Sequence, residues 1–122
     1  MRYMCLVHFD PSILETASLA TRQDIDRRSL AYDEELKAEG HYVASQAIQG
    51  GDSAVLVRVR KGQMSTTDGP YIETKEQMAG FILIEARDMN DAVRLAAGIP
   101  LAEIGTIEVR PIFEIPEPPA LA

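Results

Sequence analysis

A chain of 122 residues, 46% apolar and 25% charged, is long enough to bury one core without disulfide staples and has the balance of an ordinary globular domain. Nineteen acidic against twelve basic side chains leave a net charge of −7, which repels phosphate backbones and disfavours nucleic-acid binding. The single Cys5 excludes an intramolecular disulfide and a multi-cysteine metal cluster, and no apolar run reaches the roughly 18 residues that cross a bilayer.

Met1-Arg2 leads directly into a strand pattern without a signal-peptide arrangement, so a cytoplasmic protein is expected, with no membrane association. Residues 3–9 are apolar, suited to a strand, and stopped by Asp10-Pro11. Within this strand Cys5 reads as a small buried hydrophobe, and His8 falls on the opposite face. Residues 11–23 are mixed, a loop with a helical turn around 13–19. From Asp24 a helical stripe of Ile25, Ser29, Tyr32 and Leu36 runs to Glu39-Gly40, where a left-handed residue is wanted. His41 follows that glycine and is expected to be exposed.

Residues 42–48 form a second strand, closed by Gly50-Gly51. Residues 53–60 alternate, with Leu56, Arg58 and Arg60 on one side and Val55, Val57 and Val59 on the other, the pattern of a half-buried antiparallel strand. Lys61-Gly62 turns the chain into a partner strand over 63–67. Residues 79–86 are apolar on both faces, as in a central strand. Asp88 then N-caps a short helix, with Asp91 in its first turn and Met89, Ala92, Val93 and Ala96 facing inward. Residues 106–113 form the last strand. The domain is expected to span 1–115, followed by a proline-rich, mobile tail over 116–122.

The order β-α-β, hairpin, β-α-β describes an α+β, ferredoxin-like sheet with both helices on one face. Its second face would be bare, with residues such as Leu6, Val43 or Ile82 exposed to water. Covering it with the same face of a second copy implies a homodimer.

The stretch Asp68-Gly69-Pro70-Tyr71-Ile72-Glu73-Thr74-Lys75-Glu76 packs a turn and four ionisable side chains into nine residues just before the most apolar strand. It resembles the Asp-Gly-Pro-Phe signature of YCII-related proteins, with Tyr71 in place of phenylalanine. Gly80-Phe81, the helix end Ala38-Glu39-Gly40, and Gly105 followed by Ile107-Glu108-Val109-Arg110-Pro111 extend the resemblance from residue 1 to about 113. It implies the dimeric α+β barrel. Relatives in that superfamily include a dehydrochlorinase of a hydroxylated aromatic, monooxygenases and an isomerase. Some family members are encoded beside sigma factors.

Two functions are compatible with these residues. In the first, the chain binds a small organic ligand under the 68–76 loop and catalyses cofactor-free proton transfer, isomerisation or elimination. Asp68 and His8 are then the acid/base candidates, Lys75 an anion contact beside Glu73, and Tyr71 a wall of the pocket. In the second, it is a non-catalytic regulatory or ligand-sensing module acting through a protein partner such as a sigma factor. His8 and His41 lie too far apart in sequence pattern to suggest a metal site. Phosphate-cradling glycine loops, a Gly-x-Ser-x-Gly elbow and His-Glu-x-x-His are absent.

Overall fold

The computed structural model describes residues 1–120. Its elements in chain order are β1 (Arg2–Phe9), α1 (Pro11–Thr16), α2 (Leu19–Ala38), β2 (Tyr42–Ala47), β3 (Val55–Arg60), β4 (Gln63–Asp68), β5 (Gln77–Glu85), α3 (Met89–Ala96) and β6 (Gly105–Pro111). Short 3-10 turns occupy Gly51–Ser53 and Pro100–Glu103. Strands β2, β5, β1 and β6 form an antiparallel sheet in that order, and β3 pairs with β4 in a separate two-stranded sheet. This is the ferredoxin-like α+β arrangement with an inserted hairpin.

The segment expected to be loop over 11–23 is helical for most of its length. Asp10 accepts from the Ser12 amide at 3.0 Å and Pro11 opens α1 with its φ preset. Ser18 then accepts from the Thr21 amide at 3.1 Å, so α2 starts at Leu19 rather than Asp24. These two caps outweigh the poor periodicity of the intervening residues. The expected stripe on α2 does face inward, but only Leu36 is fully buried. Gly40 takes φ +79° and closes the helix as expected.

Strand pairing assigns the two faces. Cys5 lies opposite Ile82 and Val109, whereas Leu6 lies opposite Phe81 and Glu108. Tyr3, Cys5, Val7, Ile82 and Ile84 therefore pack with Leu36, Ala92, Leu95 and Ala96 under the helices. Cys5 has no solvent exposure, and burial pushes its thiol up to about 11, which keeps it protonated and unreactive. The other face carries Met4, Leu6, His8, Phe81 and Leu83. Ile82, expected there, is turned to the helices because it shares a face with Cys5. Val43 sits in an irregularity of the β2–β5 pairing, between Tyr42 and Ala44.

Helix α3 buries Ala92, Leu95 and Ala96, while Met89 is 37% and Val93 51% exposed, correcting the expected inward set by rotating it toward Leu95. Asp88 caps the helix as anticipated, accepting from the Asp91 amide at 2.8 Å. His41 is half-buried rather than exposed, with its Nδ1 2.9 Å from the Glu85 carbonyl oxygen. Beyond β6, residues 112–120 are exposed and without regular structure; the last two residues of the expected tail lie outside the described residues.

Asp91 is the one buried charged side chain among the described residues. The Arg87 amide donates to it at 3.0 Å, and the Arg94 guanidinium at 2.8 and 3.1 Å. These donors hold its carboxyl well below the ordinary carboxylate range, the Arg87 amide contributing most. A folded-state pKa depressed in this way adds stability above the unfolded value, about 4, and that stability is lost as pH falls further. Asp91→Asn is expected to lower the melting temperature by several degrees at pH 7 and to flatten its dependence between pH 4 and pH 2. Melting curves across that range test this; parallel profiles for the two proteins would contradict it.

Candidate functional site

The loop between β4 and β5, which bends at 71–72 and again at 75–76, distributes its charged side chains between two spaces. Thr74 and Glu76 line a cleft of about 760 Å³ together with His8, Tyr71, Ile72 and Met78. Glu73 and Lys75 line a neighbouring hollow of about 510 Å³ that also contains Asp52. The loop is therefore a partition, with Pro70, Thr74 and Gln77 bordering both spaces.

The partition is held from several sides. Glu76 Oε1 accepts from the Thr106 hydroxyl at 2.8 Å, tying the loop to β6. The Gly69 amide donates to the Ala54 carbonyl at 2.8 Å, closing the base of the β3–β4 hairpin. The Gly51 amide donates to Gln77 Oε1 at 3.4 Å, and Ile48, Gly51 and Ala54 supply the facing wall of the larger cleft.

His8 sits where β1 and β5 lose register, opposite Met78 and Thr106, on the face away from the helices. Its Nε2 lies 3.1 Å from Glu108 Oε1 on β6. An ionised carboxylate only accepts, so Nε2 carries the shared proton and neutral His8 keeps its lone pair on Nδ1. Glu108 thereby fixes the tautomer that leaves the other nitrogen basic.

The sequence candidates are thus distributed over three places. His8 and Tyr71 share the larger cleft. Glu73 and Lys75 share the second hollow, and the Lys75 ammonium also acts on Asp10. The Asp10 carboxyl lies below its ordinary range, first through its hydrogen bonds from Ser12 and in smaller part through Lys75. Asp68 is the exposed last residue of β4, opposite Val55, and does not line the His8 cleft. The partner of His8 is Glu108 instead. Sequence reading placed Glu108 within the last strand, but only antiparallel pairing with β1 brings it to the histidine. Glu76 and the 48–54 segment were also missed as cleft residues, because local pattern does not reveal which side of a loop meets a strand end.

The larger cleft is largely apolar, with Ile48, Leu56, Ile72 and Met78 in its wall, and no lysine or arginine lines it. Its size falls within the range of small-molecule sites, about 300–1,000 Å³. Among the described residues, no three His, Cys, Asp or Glu side chains gather as a metal site. No described helix is long and apolar enough to cross a membrane.

Comparison with known proteins places this geometry in context. Residues 1–116 match the YCII-related domain. An uncharacterized protein of Rhizobium meliloti (strain 1021) is 28% identical over 114 residues, covering 92% of each chain. Among solved structures, 5-chloro-2-hydroxyhydroquinone dehydrochlorinase from Burkholderia phenoliruptrix AC1100, in complex with 2,5-dihydroxybenzoquinone, aligns with a TM-score of 0.55 at 18% identity. That alignment covers 93% of this chain and 94% of the other, and at this identity it speaks for the shared fold alone.

Proposed function

This chain belongs to the YCII-related domain family, and from that premise we propose that it binds a small hydroxylated ring compound in the His8 cleft and moves a proton on it. The observation that carries the reading is the histidine in the wall of an apolar cleft with a carboxylate fixed at 3.1 Å behind it. His8 takes a proton from a ring hydroxyl or an adjacent carbon, and Glu108 stabilises the imidazolium that forms. Loss of a leaving group or return of the proton to another carbon completes an elimination or an isomerisation. Neither outcome needs a redox partner. The structural neighbour, named a dehydrochlorinase and bound to a dihydroxybenzoquinone, supports a ligand of this class.

Glu73 and Lys75 have a different place in this reading. They lie across the partition and would meet a ligand only if it extended past Thr74 into the second hollow. Tyr71, 78% exposed, forms an outer wall of the cleft.

The working unit we propose is a homodimer joined through the open sheet faces. Leu6, Phe81 and Leu83 on that face are apolar, and pairing with the same face of a second copy removes them from water. A thermal-shift series with 2,5-dihydroxybenzoquinone and substituted hydroquinones tests the site. Ligand at one hundred times its dissociation constant adds about 2.7 kcal/mol, a shift of several degrees. A flat response across the series, or a shift undiminished by Ile72→Glu in the cleft wall, would refute the assignment.

A further inference from the structure

The His8 cleft carries an unbalanced charge. Glu76 is the one acidic side chain in its lining, and no lysine or arginine lines it to offset that charge. The loop holds this carboxylate in place. Its Oε1 accepts from the Thr106 hydroxyl at 2.8 Å, and the Thr74 hydroxyl donates to the Glu76 carbonyl. Thr106 is the cross-strand partner of His8 on β6, so the tie brings Glu76 to the histidine's immediate neighbour. Among the described residues no cation forms an ion pair with Glu76. Lys75 lines the hollow beyond the partition, and Arg110, two residues past Glu108 on β6, does not line the cleft.

We propose that Glu76 sets the charge selectivity of the cleft, admitting uncharged hydroxylated rings and turning away ring carboxylates. The inference rests on the reading of the His8 cleft as the ligand site. An apolar wall attracts any aromatic body, so discrimination comes from the few polar groups fixed in it. Here the fixed charge is negative. A second carboxylate brought beside one without a counter-ion is disfavoured, and rejecting a competitor in this way selects as well as an added contact does. The −7 charge of the whole chain opposes anions at longer range in the same sense. Proton transfer asks for the same ligand. A neutral hydroxyl has a proton to give His8, whereas an ionised one has none. A product that ionises is repelled, which favours its release. The acidic 2,5-dihydroxybenzoquinone should therefore bind more weakly than uncharged hydroquinones.

Two probes of nearly equal shape separate charge from size: 2,5-dihydroxybenzamide, uncharged at pH 7, and 2,5-dihydroxybenzoate, which carries a carboxylate. Calorimetric titration of the full chain at low salt should show the amide binding roughly tenfold or more tighter than the carboxylate. Glu76→Gln keeps an acceptor for Thr106 and removes the charge. The carboxylate should then recover most of that factor, while the amide stays within about twofold of wild type. Glu76→Lys should reverse the order, and it decides the matter if Glu76→Gln does not fold. In the wild type the gap should shrink as salt approaches about 1 M, because screening weakens charge and leaves shape untouched. Equal affinity for the two probes, or a gap that the Glu76 variants leave intact, would overturn the selectivity and spare the cleft as ligand site. Binding of neither probe, with no response to any hydroquinone, would overturn the cleft reading and the selectivity with it.

Discussion

His8→Gln is expected to lower turnover of a hydroxylated ring substrate by about 10²–10⁴-fold, the usual contribution of a positioned proton-transfer group. Glutamine fills similar space and still donates a hydrogen bond to Glu108, but it offers no basic lone pair. The pair with Glu108 is partly solvent-exposed, at 25% and 49% for the two side chains. Its removal should therefore cost little stability, and the melting temperature should stay within a few degrees of wild type. Glu108→Gln is expected to act indirectly. It no longer fixes the tautomer or stabilises the imidazolium, so it should lower turnover less than His8→Gln while leaving ligand affinity nearly unchanged. Asp68→Asn is the informative comparison. If Asp68 serves only the hairpin base, turnover survives; if it is the base, turnover collapses and His8→Gln retains activity. Steady-state kinetics on the three variants, with melting curves alongside, separate these outcomes.

The second large effect concerns the docking of α2. Leu36 is 1% exposed and is the only fully buried residue on a twenty-residue helix. Leu36→Ala should destabilise the fold by about 2–5 kcal/mol, the range for emptying a buried leucine site. Tyr32, whose hydroxyl donates to the Leu95 carbonyl, is the nearest remaining anchor between α2 and α3. Because so much of α2 is exposed, few other side chains can compensate by relaxing into the cavity. Urea unfolding with an unchanged slope and a lowered midpoint is the expected result. A loss below about 1 kcal/mol would mean that α2 is held mainly by contacts other than this leucine.

The large effect expected at Leu36 and the small stability effect expected at His8 follow from their positions on opposite faces of one layer. The sheet's inner face holds Tyr3, Cys5 and Ile84 against the helices, so changes there are paid in stability. The outer face holds His8 beside Glu108 and a cleft, so changes there affect chemistry. Cys5 illustrates the first class. Its pKa of about 11 leaves a negligible thiolate fraction at neutral pH, and it is a packing residue.

Much of this arrangement could be read from local pattern. Two-residue alternation placed Cys5 and His8 on opposite faces of β1. The helix stripe ending at Leu36, the Lys61-Gly62 turn and the Asp88 cap each depend on residues within a few positions of one another. Those short-range interactions are encoded in neighbouring side chains, so the chain by itself specified the strands, α3 and the body of α2 in order, while α1 and the first turn of α2 emerged only with the Asp10 and Ser18 caps. Long-range contact decided the rest. Glu108 reaches His8 across one hundred residues of sequence through antiparallel pairing of β6 with β1. Strand register turned Ile82 toward the helices, and the seating of the loop against the strand end put Glu76 in the His8 cleft and Lys75 outside it. Alternation tells which side chains point the same way, but only packing against another part of the chain decides which way that is.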